Sequence, residues 1–314
     1  MTKILFTSDF HGSTLVFRKF LNAGKIYKAD VLIVGGDLTG KAVVPVVKQG
    51  DEYEAYFFNT THRARTEEEV KKLEKMIEDA GLYPYRLTKE EYDDLKEDEK
   101  KTMELFKQLI LERMQNWIEL IEKHYKDTKT KFFFMPGNDD IFEIDDIIAS
   151  SDYVINPDGK VVWLDDHHEL IGTAYTVMTP WKCPRDVTED ELGKIVEDLF
   201  SKVSNVKNAI LCFHCPPYGT KLDEAPKLRE DLSIEIKGSH VMMTHAGSKA
   251  IREAIEKYQP LLGLHGHIHE ARGFERIGRT LCLNPGSAYA DGVLQFAHVV
   301  VDKKKVKSFA LLFG

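Results

Sequence analysis

The chain has 314 residues and is 43% hydrophobic, which suffices for one large α/β domain or two small ones. It has no apolar run of about 18 residues that could span a membrane. A net charge of −8 disfavours general nucleic-acid binding, because phosphate contacts need a basic surface, but it leaves a small phosphorylated substrate open. The first ten residues follow a strand pattern, so we expect no signal peptide.

The four cysteines form no disulfide framework in a chain of this length, which predicts a reducing, cytoplasmic location. Cys212 and Cys215 have the CxxC spacing of redox and zinc sites. No second such pair exists, and we therefore predict that both thiols are packing residues.

The chain begins with a strand, a helix and a second strand, which predicts parallel neighbours in a sheet. The strands are predicted at Lys3–Thr7 and Val31–Val34, and the helix at Thr14–Ala23 with Gly24 as its stop. The second strand is apolar throughout and runs into two glycines and Asp37, at the strand end where open α/β sheets place their sites.

The next segment departs from a compact α/β repeat. Val43–Val47 and Tyr53–Phe58 predict a hairpin, and Thr66 and Thr88 each begin a capping box that predicts a helix. Pro84 is predicted to break the pattern between those helices. The charged residues 90–101 indicate a solvated helix or a flexible segment.

We predict that residues from about 41 to 101 form an inserted hairpin-plus-helix subdomain. Because it starts three residues after Asp37, it is expected near the functional face. A cap over the site and an arm for homodimerisation both remain open.

The rest of the chain predicts two packed sheets in one domain, residues 1–314, with helices outside. A helix from Met103 carries apolar residues at three-to-four spacing and is expected to cover a sheet. Further strands are predicted at Lys131–Met135, Asp152–Asn156, Lys160–Leu164, Glu169–Thr173, Ala209–Phe213 and Leu261–Leu264, and helices at Thr188–Ser201 and Ser248–Tyr258. The last strands, Arg279–Leu283, Leu294–Val301 and Val306–Leu312, are predicted to be antiparallel and to complete the second sheet.

Five predicted strands end in side chains that bind divalent metals. These residues are Asp9, His11, Asp37, Asn138, His214, His267 and His269. Each fragment alone has an ordinary explanation as a loop cap, a turn or a buried histidine. Together they favour a metal site, because a fold that gathers its strand ends would bring them to one place.

This order resembles the calcineurin-like metallophosphoesterase family, with Asp-x-His, Gly-Asp, Gly-Asn, a lone His, Gly-His-x-His and a closing Asn284–Ser287 segment. The resemblance implies an α/β fold, the four-layer α/β/β/α sandwich. It also implies two divalent transition metal ions, manganese being favoured and iron or zinc being alternatives. Carried over by position, Asp9, His11 and His269 bind one ion, and Asn138, His214 and His267 bind the other. Asp37 is expected to bridge the two.

The resemblance implies hydrolysis of a phosphate ester by hydroxide, because two ions about 3.5–4 Å apart lower the pKa of a shared water. The family has a histidine after its Gly-Asn pair that is thought to protonate the leaving group, and here that residue is Asp139. A carboxyl has a pKa of about 4, against about 6.5 for imidazole, so it is a poor acid at neutral pH. A turn or supporting role for Asp139 is the alternative.

We therefore predict a small phosphodiester as substrate, as in branches related to cyclic-nucleotide phosphodiesterases. A phosphomonoesterase or nucleotidase using another acid, and a scaffold without catalysis, are the alternatives. Asn138 and Asp139 are the predicted catalytic residues, with His265 as a third candidate. His265 is expected mainly to orient His267 or its loop, and an acid role is the alternative.

Overall fold

The computed structural model describes residues 1–314 and consists of twenty-two strands, seven α-helices and two short 3-10 helices. The strands are β1 (Thr2–Thr7), β2 (Val31–Gly35), β3 (Val43–Gln49), β4 (Glu52–Phe57), β5 (Thr60–Ala64), β6 (Tyr83–Leu87), β7 (Lys131–Met135), β8 (Val154–Ile155), β9 (Val161–Trp163), β10 (Glu169–Thr173), β11 (Thr176–Val177), β12 (Asp186–Val187), β13 (Ile210–Phe213), β14 (Glu224–Pro226), β15 (Ile236–Lys237), β16 (His240–Val241), β17 (Met243–His245), β18 (Leu262–Leu264), β19 (Gly273–Ile277), β20 (Thr280–Asn284), β21 (Gln295–Asp302) and β22 (Lys305–Phe313). The helices are α1 (Thr14–Ile26), α2 (Glu67–Asp79), α3 (Lys89–Glu97), α4 (Glu99–Tyr125), α5 (Ile144–Ala149), α6 (Glu189–Ser201) and α7 (Lys249–Tyr258). The 3-10 helices are Val206–Asn208 and Tyr289–Asp291.

Two six-stranded sheets form the centre of the molecule. The first has the order β22-β21-β1-β2-β7-β8, and the second has the order β19-β20-β18-β13-β10-β9. In the first sheet β1, β2, β7 and β8 are parallel, and in the second sheet β10, β13, β18 and β20 are parallel. The carboxyl ends of these parallel strands carry the loops described below.

The placement of the last strands corrects the sequence prediction. Leu294–Val301 and Val306–Leu312 were predicted in the second sheet, but β21 pairs antiparallel with β1 and β22 pairs with β21, so both extend the first sheet. Arg279–Leu283 does contribute β20 to the second sheet, parallel to β18 and antiparallel to β19. Periodicity indicates that a segment is a strand but not which sheet edge it joins, and that explains the error.

Successive side chains of the central strands point to opposite faces of their sheets, and this alternation produces four layers. Leu5 and Leu32 lie in an apolar cluster with Phe17 of α1 and Trp117 of α4, whose rings stack with centroids 4.2 Å apart. Their neighbour Phe6 faces the other way, into a cluster shared by both sheets. The far face of the second sheet packs on α6 and α7. The α/β/β/α sandwich predicted from the sequence is therefore the observed fold.

A third sheet, of order β5-β4-β3-β6, is built from residues 43–87. The predicted hairpin is confirmed, since β3 pairs antiparallel with β4, and both predicted capping boxes are present at Thr66 and Thr88. Pro84 lies between α2 and α3, as predicted, but within a strand that was not predicted: it is part of β6, an edge strand, where a missing N–H is tolerated. The boundaries 41 and 101 of the inserted subdomain stay a prediction.

Gly24 does not end α1 as predicted. The helix continues to Ile26, and a Cβ at position 24 would collide with the hydroxyl of Tyr125 and with Leu32. Glycine is required there for close helix packing rather than for a stop. None of the seven helices has the length and apolar content that a membrane crossing requires.

Candidate metal centre

The predicted ligands all follow the carboxyl ends of parallel strands. Asp9 and His11 follow β1, Asp37 follows β2, Asn138 follows β7, His214 follows β13, and His267 and His269 follow β18. Three of these strands belong to the first sheet and two to the second. The six carboxylate and imidazole side chains of this set meet because the two sheets are packed with these ends on the same side.

The loops that carry the ligands have unusual backbone conformations. Four of the candidate ligands have positive φ values, in the left-handed region that residues other than glycine rarely adopt. These are Asp9 (61°), His11 (41°), Asp37 (50°) and His267 (68°). Such strain persists only where surrounding contacts impose it. Here the N–H of Asp9 donates to the carbonyl of Gly36, and the N–H of His11 donates to that of Asp37.

Gly36 allows two loops to approach closely within the centre. Its φ is 126°, and a Cβ at this position would overlap the imidazole of His214. That ring donates from Nδ1 to the carbonyl of Gly35 at 2.8 Å, which leaves Nε2 free to act as a ligand. The two glycines after β2 thus bring a histidine of the second sheet against a loop of the first.

The side chains form two groups whose donor atoms lie within 4.8 Å of one another. Asp9, His11 and His269 make the first group, and Asp37, His214 and His267 make the second. In the first group the Nε2 atoms of His11 and His269 are 3.0 Å apart, and Nε2 of His269 lies 3.5 Å from Oδ1 of Asp9. The histidines divide between the two groups as the family resemblance implies, and their role as metal ligands stays a prediction.

Asp37 faces both groups. Its Oδ2 lies 3.6 Å from Nε2 of His11, and its Oδ1 lies 3.3 Å from Nε2 of His214. One carboxylate oxygen is thus directed toward each group, which is the geometry expected of a ligand shared by two ions.

Unpaired buried atoms indicate that a cation fits here. Nε2 of His214 and Oδ1 of Asn138 are buried and accept no hydrogen bond. Burying such polar atoms without a hydrogen-bond partner costs free energy, and a divalent ion in place of a proton would satisfy them. The mixture of imidazole nitrogen and carboxylate oxygen suits manganese, iron or zinc better than calcium or magnesium.

Burial and the neighbouring carboxylates shift the pKa values of the histidines in the centre. Burial lowers the pKa of His11 and of His267 to about 4, so both rings are neutral, as ligands must be. Burial also opposes a charge on His214, but Asp37 and Asp9 outweigh it and raise the pKa of His214 to about 9. Without a metal, a proton on His214 balances the negative charge of these two carboxylates. A divalent ion bound at the same place would balance that charge instead.

The amide of Asn138 is oriented by a residue that sequence reasoning missed. Its Nδ2 donates to Oδ1 of Asp186 at 2.8 Å. A carboxylate only accepts, so the amide nitrogen must face Asp186, and the amide oxygen, which is buried without a partner, is left free to act as a ligand. Asp186 is fixed in turn by donors from Thr179, Thr176 and the N–H of Cys183. It belongs to the short strand β12, which had no periodicity to reveal it.

Asp139 lies at the edge of the centre. Its Oδ2 forms an ion pair with Nζ of Lys41 at 2.9 Å and lies 3.8 Å from Nδ1 of His11. Its N–H donates to Oδ1 of Asp37. His11, Asp37 and Asp139 also form a third close donor group, so the position is adjacent to the other two. Lys41 was not predicted, because a lone lysine after Gly-Asp-Leu-Thr-Gly carries no sequence signal.

Asp140 joins the loops after β2 and β7. It is completely buried and accepts hydrogen bonds from the N–H groups of Leu38, Thr39 and Gly137 and from the hydroxyl of Thr39. These contacts hold the backbone on either side of Asp37 and Asn138. The sequence shows Asp140 within the Gly-Asn-Asp-Asp stretch, but its partners 101 and 102 residues away are visible only in the structure.

His265 lies behind the ligands rather than among them. Its Nδ1 donates to the carbonyls of Phe213 and Cys215, the neighbours of His214, and its Nε2 is buried without a partner. Burial lowers its pKa to about 4. The geometry favours a role in holding the loop of His214 over a role as acid, and no catalytic part for His265 is visible in these contacts.

The closing Asn284–Ser287 segment ties two ligand loops together, and the turn predicted there is accompanied by side-chain contacts. Ser287 donates from Oγ to the carbonyl of Asp9, and its N–H donates to the carbonyl of His269. Tyr289 follows, and its ring packs on His11 and on His269 with centroids 4.8 and 5.9 Å away. Tyr289 is a second residue at the rim that the sequence analysis did not identify.

Comparisons with known proteins agree with this picture. A model of the calcineurin-like phosphoesterase superfamily domain matches residues 219–304. The uncharacterized protein MJ1162 of Methanocaldococcus jannaschii is 34% identical over 171 residues, which span 54% of this chain and 70% of that protein.

Solved structures extend the likeness to the whole fold. One crystal structure superposes with a TM-score of 0.58 at 16% identity, over 99% of this chain and 98% of the other. The crystal structure of TT1561 of Thermus thermophilus gives 0.51 at 13% identity, over 94% and 93%. At these identities the likeness concerns the fold alone.

Proposed function

Since the chain belongs to the calcineurin-like phosphoesterase superfamily, we propose that it is a phosphoesterase with two divalent metal ions that hydrolyses a small phosphodiester. The observation that carries this proposal is the meeting of two donor groups at Asp37, with one carboxylate oxygen directed to each. Manganese is the proposed metal, with iron and zinc as alternatives.

Asp9, His11 and His269 would hold one ion, and Asn138, His214 and His267 would hold the other, with Asp37 between them. When bound, two such ions lower the pKa of a water and neutralise phosphate oxygens during in-line displacement. The protein residues position these groups: Asp186 orients Asn138, and Asp140 fixes the loops that carry Asp37 and Asn138.

The ion pair between Asp139 and Lys41 supports a diester over a monoester. A carboxylate held by an ammonium group donates no proton to a leaving group, and alkyl monoesters depend most on such donation. Diesters with better leaving groups depend on it less. A small substrate and a cytoplasmic location complete the proposal, the latter being supported by four free cysteines.

The test is a substrate panel with the full chain reconstituted with manganese. We expect an aryl phosphodiester to be hydrolysed faster than an alkyl monophosphate, and we expect Asp139→His to raise turnover of the monoester. The chelated protein serves as the control. Equal rates on both ester classes would contradict the diester preference, and no metal-dependent hydrolysis of either class would reject the enzymatic function.

A further inference from the structure

Most side chains of the centre are buried, and a few at its edge are partly exposed to solvent. The side chains of Asp9, His11, Asp37 and His214 are at most 5% exposed, whereas that of His269 is 29% exposed. Asp139 is 28% exposed and Lys41 56% exposed. The partly exposed side chains at the centre are therefore His269 and Asp139, with Lys41 beside Asp139, and we expect a substrate to approach along this side.

Lys41 is held at this opening by several contacts. Its ammonium pairs with Asp139 at 2.9 Å, and the N–H of Asp139 donates to the carboxylate of Asp37 at 3.1 Å. The preceding residue, Gly40, donates its N–H to the hydroxyl of Tyr83 in β6, and a Cβ at Gly40 would overlap the carbonyl of Gly81. The backbone before Lys41 and the ammonium group of its side chain are thus both held in place, unlike those of a flexible surface lysine.

The charge at this position is a persistent cation. Burial works to lower the pKa of Lys41, but Asp139 outweighs it and raises that pKa. The ring of Tyr289, packed on His11, borders the same opening, and Lys41 opposes the rise that burial causes in the pKa of Tyr289. A phosphate ester held by metal ions at these ligands would direct its outward ester oxygen into this space.

We propose that Lys41 contacts the leaving-group oxygen of the substrate, and that Asp139 is the positioning residue that holds Lys41 there; this rests on the proposed function. The oxygen of water forms a new bond to phosphorus while the bond from phosphorus to the leaving oxygen breaks, and the electron pair departs on that oxygen. The ammonium of Lys41 donates a hydrogen bond to the developing alkoxide and keeps its own protons. The alkoxide takes one proton of the attacking water, and the other passes to buffer.

A fixed cation at the point where charge develops stabilises the transition state more than the ground state. Its effect must therefore grow as the leaving group becomes poorer, because more negative charge then resides on the leaving oxygen. This dependence distinguishes a contact in the transition state from a structural role, which would reduce turnover of all substrates equally.

The experiment compares the manganese-loaded full chain with Lys41→Ala and Lys41→Arg, on methyl para-nitrophenyl phosphate and methyl phenyl phosphate. For Lys41→Ala we expect kcat/KM to fall about 10- to 100-fold on the phenyl ester and less than about threefold on the nitrophenyl ester, a tenfold loss being 1.4 kcal/mol. Lys41→Arg, which keeps the positive charge, should retain most of the wild-type kcat/KM. Lys48→Ala, an exposed lysine of β3, is the matched control and should behave as wild type.

The role of Asp139 is tested by combination. Asp139→Asn should reproduce the leaving-group dependence of Lys41→Ala, and the double variant should lose little more than either single variant, because both act through one contact. Losses that multiply would show that Asp139 acts independently of Lys41 and would reject the positioning role.

A readout that does not depend on turnover is chemical protection. We expect inorganic phosphate to slow modification of Lys41 by an amine-reactive reagent in the metal-loaded protein, as followed by mass spectrometry, and to leave Lys48 unaffected. Metal content and melting temperature should be the same in all lysine variants.

The outcomes separate the two proposals. Wild type that hydrolyses the esters, combined with equal losses on both in Lys41→Ala or with no protection of Lys41, rejects the contact while the phosphoesterase function stands. Wild type that hydrolyses neither ester with metal bound rejects both.

Discussion

The Nε2 atoms of His11 and His269 face each other at 3.0 Å across the junction of the two sheets, although the residues are 258 positions apart in the chain. Two imidazole nitrogens at this distance can share one proton, and Nδ1 of His11 on the other side of its ring is buried without a hydrogen-bond partner. Both rings also lie beside Asp9 or Asp37. The arrangement is that of two ligands directed at one cation.

The first prediction concerns this pair. His11→Ala and His269→Ala should each weaken binding of the first metal by about 100-fold or more, roughly 2.7 kcal/mol. The double variant should lose little beyond either single variant, since removing one ligand already disables the shared site. Metal titration followed by calorimetry measures this, with the exposed His167→Ala as control. Fully additive losses would indicate that the rings serve separate ions.

The second prediction concerns Asp37. Manganese in hundredfold excess over Kd should stabilise the wild type by about 2.7 kcal/mol per site. Asp37→Asn should lose most of this stabilisation, because an amide offers only one oxygen to the two donor groups. Thermal unfolding with and without metal measures the difference, and Asp152→Asn, at an exposed position, is the control. An unchanged metal-dependent shift in Asp37→Asn would contradict the bridging role.

The third prediction concerns Asp186. Its replacement by Ala frees the amide of Asn138 to rotate, so metal affinity should fall about 10- to 100-fold, as for other residues that orient a ligand. The fall should be confined to one of two sites resolved by titration. Asp190→Ala, at a nearby position in the first turn of α6, is the control. Equal weakening of both sites would point to general loosening of the loop instead.

The fourth prediction concerns Asp140. In Asp140→Asn an amide N–H₂ must face one or more of the N–H groups of Leu38, Thr39 and Gly137, all of which now donate to the carboxylate. Leaving buried donors unpaired costs about 1–3 kcal/mol, so the melting temperature should fall even without metal. Asp139→Asn should not lower it comparably, because Asp139 is partly exposed. A melting temperature equal to that of the wild type would show that the carboxylate is not needed to hold the loops.

The fifth prediction concerns pH. Burial raises the pKa of Asp158, which accepts a hydrogen bond from the N–H of Ala174 at 2.7 Å. The folded state therefore binds this proton more tightly than the unfolded state, and the associated stability is present below the unfolded pKa and lost as pH rises through the folded one. Asp158→Asn keeps an acceptor and carries no charge. Its melting temperature relative to wild type should thus be higher at pH 7 than at pH 4; a constant difference would contradict the raised pKa.

Much of this protein could be predicted from local sequence. Apolar runs such as Val31–Gly35 indicate buried strands, and the capping boxes at Thr66 and Thr88 indicate helix starts, because hydrophobic periodicity and backbone capping act over a few residues. The seven candidate metal-binding positions were also identified, since side chains that can bind metals recur after strand ends, and their role as ligands stays a prediction. Their meeting in space is what the structure adds.

The errors share a cause. The edge that β21 joins, the place of Pro84 in an edge strand and the need for Gly24 at a helix contact all depend on partners distant in the chain. The same holds for Lys41 and Asp186, which carry no local pattern and whose significance comes from their contacts with Asp139 and Asn138.

The sequence by itself therefore determined most of the elements and the chemical types of the candidate ligands, because these follow from short-range periodicity and side-chain chemistry, and the family resemblance implied the four layers. Only the tertiary structure decided which oxygen of Asp37 faces which histidine, how the amide of Asn138 is oriented and that the lysine beside Asp139 is Lys41. Those relationships depend on packing between two sheets whose strands are far apart in the chain, and no local pattern encodes such distances.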